Sequence, residues 1–406
     1  MRIAYGVMGY GRGHAMRTSA VLPELMAEHE VTVFAGGDAY EVLAPLYPTV
    51  RIPTIGYVYN ARGGHSTAQT VRRNIAPMSD LLFGGDATAL VEREFKSRGI
   101  DLVISDSEAW THRAARRLNI PRISFDHVGI IAYCKPHFPP ELYLLGRRDA
   151  IGYRALMGVP ERILIASFYP AEPAYPGVQV VGPMLRDEVL AVPPRAQAGD
   201  FLLVYFNKGE HQYREHIDRA LRLLDFPVVV YGTPFRGQVE NLDFRAPSNA
   251  GFIRDLADCK AVLSTAGNQL IGEAIHFGKP ILALPEEAFE QRLNAYMIER
   301  MGVGMRGDRL QLNPSDIDRF LGNFDWYRGN MREHARDGRA EARDTLRRFI
   351  EEIRHEQAIR STAAAVRKRA PAAARVADLP AAASASRGKP AAKLRRTRRR
   401  EVAPIA

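Results

Sequence analysis

Cysteine is almost missing from this chain. Cys134 and Cys259 are the only two in 406 residues, and no metal-like spacing joins them. A disulfide framework is therefore excluded as the organising principle, and a reducing compartment is expected. Long apolar runs are missing too; none approaches the roughly 18–20 residues that a membrane-spanning helix needs. No cluster of His, Cys, Asp and Glu has ligand spacing, and no Asp-x-Asp stands at a predicted strand end, so neither a metal nor a cofactor is expected. No signal peptide is expected, because the chain opens on strand-like Arg2-Ile3-Ala4-Tyr5.

A basic surplus is absent from most of the chain. The formal net charge is +10, but residues 361–406 hold twelve Lys and Arg against Asp378 and Glu401, so residues 1–360 are balanced. The surplus lies in an Ala/Pro/Arg-rich stretch that cannot bury a core and is predicted to be a disordered tail. Its run from Lys393 to Arg400 could touch anionic lipid by charge alone. It carries no aromatic residue, so bases have nothing to stack on and specific nucleic-acid binding is not expected. The expected location is the cytoplasm, with a peripheral position at the inner face of the membrane open through the tail.

What is present is a rhythm. A hydrophobic content of 46% over this length supports two cored domains. Strand-like runs at 3–7, 31–35, 101–105 and 122–125 alternate with helix-like stretches at 16–29 and 108–118. Buried runs alternating with amphipathic ones predict a parallel sheet covered on both faces. Residues 57–85 break the rhythm and are predicted as an irregular excursion with a helix inside. The four prolines between 176 and 199 mark an interdomain linker. A second series follows at 201–206, 215–224 and 228–231, and an amphipathic helix is predicted over 332–360. The expected organisation is a first α/β domain at 1–180, a linker at 181–199, a second α/β domain at 200–330, the helix at 331–360 and the tail at 361–406.

The most informative stretch lies in the second domain. The apolar run Ala261-Val262-Leu263 is followed by a loop of small residues, Ser264-Thr265-Ala266-Gly267-Asn268, and then by a helix predicted over 269–277. Such a loop offers unpaired backbone N–H groups at a helix N-terminus, which suits a diphosphate. Glu273 lies about one turn inside the helix, where a carboxylate could reach sugar hydroxyls. This segment resembles the nucleotide-sugar-binding half of GT-B glycosyltransferases, in particular the MurG-like group with a glycosyltransferase family 28 C-terminal domain. The resemblance implies a GT-B fold, two Rossmann-like doubly wound domains facing a cleft. It also implies that Glu273 binds the nucleotide ribose, that Glu290-Gln291 contact the donor sugar, and that Phe252-Ile253 meet the base. Asn207-Lys208-Gly209 departs from the Gly-Gly-Ser loop of that group, and Lys208 could instead neutralise the diphosphate as a point charge.

The first domain opens with Gly9-Tyr10-Gly11-Arg12-Gly13-His14. Gly9, Gly11 and Gly13 allow a tight turn and a close backbone approach. A dinucleotide fingerprint would require glycine where His14 stands. The loop is similar to the N-terminal loop of GT-B enzymes, and that resemblance implies His14 as general base; capping the following helix or binding an acceptor phosphate are the alternatives. Asp106 ends a strand, where a carboxylate points into the ligand crevice; it could orient His14 or cap the next helix. Asp126-His127 follow another strand and form an alternative base or an acceptor-binding pair. Arg17 and Glu108 are weaker candidates. The excursion sets Arg62, His65, Arg72 and Arg73 beside Tyr57, Tyr59, Leu81, Leu82 and Phe83, which would suit a phosphorylated or lipid-linked acceptor.

The activity expected from the resemblance is transfer of a sugar from a UDP-sugar such as UDP-GlcNAc to an acceptor hydroxyl, metal-independent and inverting. Two other readings compete: a UDP-GlcNAc 2-epimerase of the same fold, and a non-catalytic binding protein acting through its basic tail.

Overall fold

The structure is a computed structural model that describes residues 1–61, 64–195 and 199–369; of residues 363–369 only the backbone is described. Arg62, Gly63 and the greater part of the predicted tail lie outside the described residues. Residues Met1–Ile353 form one compact unit. Among the described residues, two seven-stranded sheets organise it.

The first sheet comprises β1 (Arg2–Val7), β2 (Glu30–Ala35), β3 (Thr49–Arg51), β4 (Leu102–Asp106), β5 (Arg122–Asp126), β6 (Arg162–Ala166) and β7 (Val178–Val181). Their order is β3-β2-β1-β4-β5-β6-β7, and every pairing is parallel. The second comprises β8 (Leu202–Tyr205), β9 (Val228–Tyr231), β10 (Gly237–Val239), β11 (Leu242–Phe244), β12 (Ala261–Ser264), β13 (Ile281–Ala283) and β14 (Gly304–Arg306). Here the order is β10-β11-β9-β8-β12-β13-β14, parallel except for the edge hairpin β10–β11. The central strands are buried on both faces: β4, β5, β9 and β12 are buried at every position, and all but β5 are mainly apolar. That burial is why they read as continuous hydrophobic runs rather than alternating ones.

Each sheet has a switch point. β1 is flanked by β2 and β4, and the chain departs from it in opposite directions, so a crevice opens beyond the paired ends Val7 and Asp106. β8 is flanked by β9 and β12 in the same way, with Tyr205 opposite Ser264. Ligands of open parallel sheets bind at such crevices. The glycine loop, residues 207–209 and the loop 264–268 leave strands at these two points, and Asp106 ends one.

Several elements differ from expectation. The helix predicted over 16–29 is two helices, Gly13–Ser19 and Leu22–Glu28. Pro23 sits in the first turn of the second, where its missing N–H costs nothing. The proline-bearing stretch from 176 is not all linker, because Val178–Val181 closes the first sheet as an edge strand. The excursion, by contrast, holds a helix as expected, Thr67–Phe83. The last helix runs Arg339–Arg369 and so enters the predicted tail, through alanines and basic residues of high helix propensity. Within the compact unit its Ala342, Leu346, Phe349, Ile350 and Ile353 join the core of the first sheet beside Leu22, Ile104 and Leu164.

Candidate active site

Gly9, Gly11 and Gly13 shape the turn that leaves β1. A Cβ on Gly9 would lie 2.4 Å from the Gly36 carbonyl oxygen, and Gly11 has φ +82°. Only glycine meets both demands without strain. The Gly11 N–H donates to Asp38 Oδ2 at 2.8 Å, so the carboxylate after the Gly36-Gly37 pair pins the loop.

The turn delivers His14 to the first turn of the helix Gly13–Ser19. Its Nδ1 lies 2.7 Å from Asp106 Oδ1. Arg17, one turn further along the same helix, donates through Nε to Asp106 Oδ2 at 2.8 Å and through Nη2 to Oδ1 at 2.6 Å. Asp106 and Arg17 are buried, whereas the His14 side chain keeps 19% exposure. Its Nε2 has no protein partner among the described residues. Burial alone would raise the Asp106 carboxyl, but the Arg17 guanidinium and then His14 hold it below the usual carboxylate range. Asp106 is not the cap of the next helix. Glu108 fills that place, accepting from the backbone N–H groups of Trp110 and Thr111 at 2.8 and 2.7 Å.

Asp126 and His127 lie nearby but are enclosed. Asp126 accepts from Ser124 Oγ at 2.7 Å, Tyr153 OH at 2.8 Å and the Gly129 N–H. Burial raises its carboxyl, and the charge of Asp106 adds to the rise. His127 is buried, with Nδ1 3.0 Å from the Ala166 carbonyl oxygen and Nε2 3.1 Å from Asn294 Oδ1. Burial pushes it down to about 4. With both ring nitrogens against protein oxygens, His127 spans the two halves of the molecule and has neither nitrogen open to a ligand.

In the second half, the helix Asn268–His276 begins at Gly267 without a side-chain cap. Ala266 has φ +66°, and a Cβ on Gly267 would meet nothing within 4 Å, so the loop holds open space beside the helix N-terminus. Ser264 and Thr265 are buried in this loop. Asn268 turns away from it, its side chain 3.4 Å from both the Phe168 N–H and the Ala166 carbonyl oxygen. Phe252 packs between the rings of Tyr205 and Tyr231, and Ile253 is buried in the core.

Glu273 is 2% exposed and already engaged. Arg186 clamps it through Nε and Nη2, both at 2.9 Å, and Gln269 Nε2 donates to it at 2.9 Å. A carboxylate offers about four acceptor sites, so roughly one is left for a ribose hydroxyl unless Arg186 moves. Lys208 is likewise committed, its Nζ 2.9 Å from Asp38 Oδ2. Glu290 accepts from Asn294 Nδ2 at 2.7 Å. Gln291 accepts from the Glu286 N–H at 2.9 Å and donates to Glu286 Oε2 at 3.2 Å. Glu286 in turn accepts from Tyr59 OH at 2.8 Å, which ties the excursion to the second half.

The sequence reading therefore missed Arg186, Glu286, Asn294, Asp38 and Tyr59 as partners. Arg186 stands in the stretch read as linker and has no local signal. Asp38 had one, since a glycine pair followed by a carboxylate after a strand marks a ligand-side turn. Among the described residues, no group of three or more His, Cys, Asp or Glu side chains could hold a metal ion, and no helix is long and apolar enough to cross a membrane.

The family model described as glycosyl transferase family 1 matches residues 1–325. An uncharacterized glycosyltransferase of Methanosarcina mazei is 25% identical over 331 residues, covering 75% of this chain and 85% of its own. MurG of Acinetobacter baumannii is similar in structure with a TM-score of 0.55 at 16% identity, over 86% of this chain and 99% of that one. CalG4, the calicheamicin glycosyltransferase, gives 0.61 at 18% identity, over 86% and 98%. At these identities the structural likeness speaks for a shared fold.

Proposed function

The chain belongs to glycosyl transferase family 1, and from that premise we propose that it moves a sugar from a UDP-sugar such as UDP-GlcNAc to an acceptor hydroxyl, with inversion and without a metal or cofactor. Its GT-B fold and its relatives make it a glycosyltransferase. The proposal concerns donor, stereochemistry and acceptor.

One observation carries it: His14 is held at Nδ1 by a buried carboxylate while Nε2 has no partner among the described residues. In the proposed reaction the acceptor oxygen attacks the anomeric carbon as the bond from that carbon to the diphosphate oxygen breaks. The hydroxyl proton passes to His14 Nε2, and Asp106 stabilises the resulting imidazolium through Nδ1–H. The charge gathering on the leaving diphosphate would be met by the N-terminus of the helix Asn268–His276 and the amides of the 264–268 loop. Glu273 would take a ribose hydroxyl, with Phe252-Ile253 at the base and Glu290-Gln291 at the sugar. Lys208 would leave Asp38 to meet the phosphates.

The acceptor reading is a lipid-linked or phosphorylated molecule, supported by the exposure of Val71, Ile75 and Phe83 near Arg72 and Arg73 on the helix Thr67–Phe83. Peripheral contact with an anionic membrane belongs to the same reading.

The test is a screen of nucleotide sugars for hydrolysis and transfer. His14→Ala is expected to lower kcat by about 10²–10⁴-fold, the usual contribution of a general base. Glu273→Ala is expected to act chiefly through donor affinity. Full activity in both variants would sink the assignment.

A further inference from the structure

We infer that Arg17 is a positioning residue for the proton-accepting histidine: by clamping both oxygens of Asp106 it fixes the carboxylate so that Oδ1 takes Nδ1–H of His14 and Nε2 keeps its lone pair. The inference rests on the proposed role of His14 and extends it.

The geometry is that of a three-membered unit rather than a pair. Arg17 is 3% exposed and Asp106 fully buried, and the guanidinium spans both carboxylate oxygens. The same Nη2 lies 3.0 Å from His14 Nδ1. Nδ1 therefore has an acceptor and a donor within reach, at 2.7 and 3.0 Å. If Nδ1 carries the proton it donates to Asp106, and Nε2 is a base. If Nδ1 is bare it accepts from Arg17, Nε2 carries the proton, and the ring can take nothing from an acceptor. The hydrogen on the ring thus depends on whether Asp106 stays ionised and in place.

Arg17 secures both conditions. Two parallel bonds stop the carboxylate from rotating, as a bidentate fork does. The guanidinium also opposes burial, which by itself would drive the Asp106 carboxyl upward. The other groups facing Asp106 do not help: Asp126 is a like charge, and Tyr5 is a buried neutral phenol. Without Arg17 a protonated Asp106 would donate to Nδ1, shift the ring proton to Nε2 and remove the base.

The experiment compares wild type, Arg17→Lys and Arg17→Met in the full chain, each checked for folding by thermal melting. Arg17→Met is expected to lose about 10- to 100-fold in kcat, part of what a general base supplies, with donor KM nearly unchanged. Its rate should also fall at a higher pH than that of wild type, as Asp106 becomes protonated sooner. Arg17→Lys, which keeps the charge and loses the fork, should recover the pH profile but not the full kcat. Selective nitrogen-15 labelling of histidine, with the His14 signal identified by its loss in His14→Gln, should show the Nδ1–H tautomer in wild type and a shift toward Nε2–H in Arg17→Met. Unchanged kcat in a folded Arg17→Met, a loss confined to donor KM, or an unchanged His14 tautomer would each overturn the inference. The tautomer needs no substrate, so it decides the role of Arg17 even if no nucleotide sugar is turned over.

Discussion

At the residue scale, the site is a set of charges whose partners lie far away in sequence. Glu273 and Arg186 are 87 positions apart and both nearly buried, at 2% and 7% exposure. Breaking such a pair strands a charge in a low-dielectric setting and typically costs about 3–5 kcal/mol, whereas replacing both partners by apolar residues costs far less. Arg186→Met should therefore lower the melting temperature clearly, and Arg186→Met with Glu273→Met should regain much of the loss. A double variant as unstable as the single one would show that Arg186 matters through its contact with Asn249 and its packing rather than its charge. Little of this was legible. Glu273 stood out because it follows a small-residue loop into a helix, but nothing in the neighbourhood of Arg186 announced its partner. His14 and Asp106 were legible as chemistry, since Asp106 ends a strand and His14 follows the glycine loop that leaves one, both at ligand-side turns. Arg17 was less legible, because a helical arginine is ordinarily solvated and only the burial of this one reveals its partner.

At the element scale, the helix Ala109–Leu118 carries an acid-sensitive weakness. His112 is 1% exposed, and neither ring nitrogen has a hydrogen-bond partner among the described residues. Burial, joined by the Arg122 guanidinium, pushes it down to about 3. An unfolded histidine takes its proton near pH 6.5 or so. Between those values the unfolded chain binds more protons, so stability is lost as the pH falls below about 6.5. His112→Leu should flatten this dependence, read as a smaller drop in melting temperature between about pH 7.5 and about pH 5. Equal drops in the two proteins would place the acid loss on other groups, His127 among them. Element types were well legible in the central strands, whose apolar runs follow from burial on both faces. Element ends were less so. The break between Ser19 and Leu22 and the short edge strands β3 and β7 lack strong periodic signals, because edge positions bury little.

At the scale of the whole molecule, donor binding should appear as stabilisation. A ligand present at about 100 times its Kd adds about 2.7 kcal/mol to the folded state. A UDP-sugar that is a true donor should raise the melting temperature of wild type and of a chain truncated after Arg360 alike, because the charge of residues 1–360 is balanced. Glu273→Ala should abolish the shift. A shift lost on truncation would make the basic tail part of the donor site.

The alternation of central strands with helices, the two glycine- and small-residue-rich turns and the residue types at their ends were determined by the sequence alone. Those features depend on backbone conformation and local burial pattern, which neighbouring residues set. The partner of each charge was decided by the tertiary structure. Asp106 faces His14 because β4 lies beside β1, and Glu273 faces Arg186 because the chain leaving the first sheet passes the helix Asn268–His276. A side chain's hydrogen bonds run to whatever the fold brings within about 3 Å, and that distance has no counterpart in sequence separation.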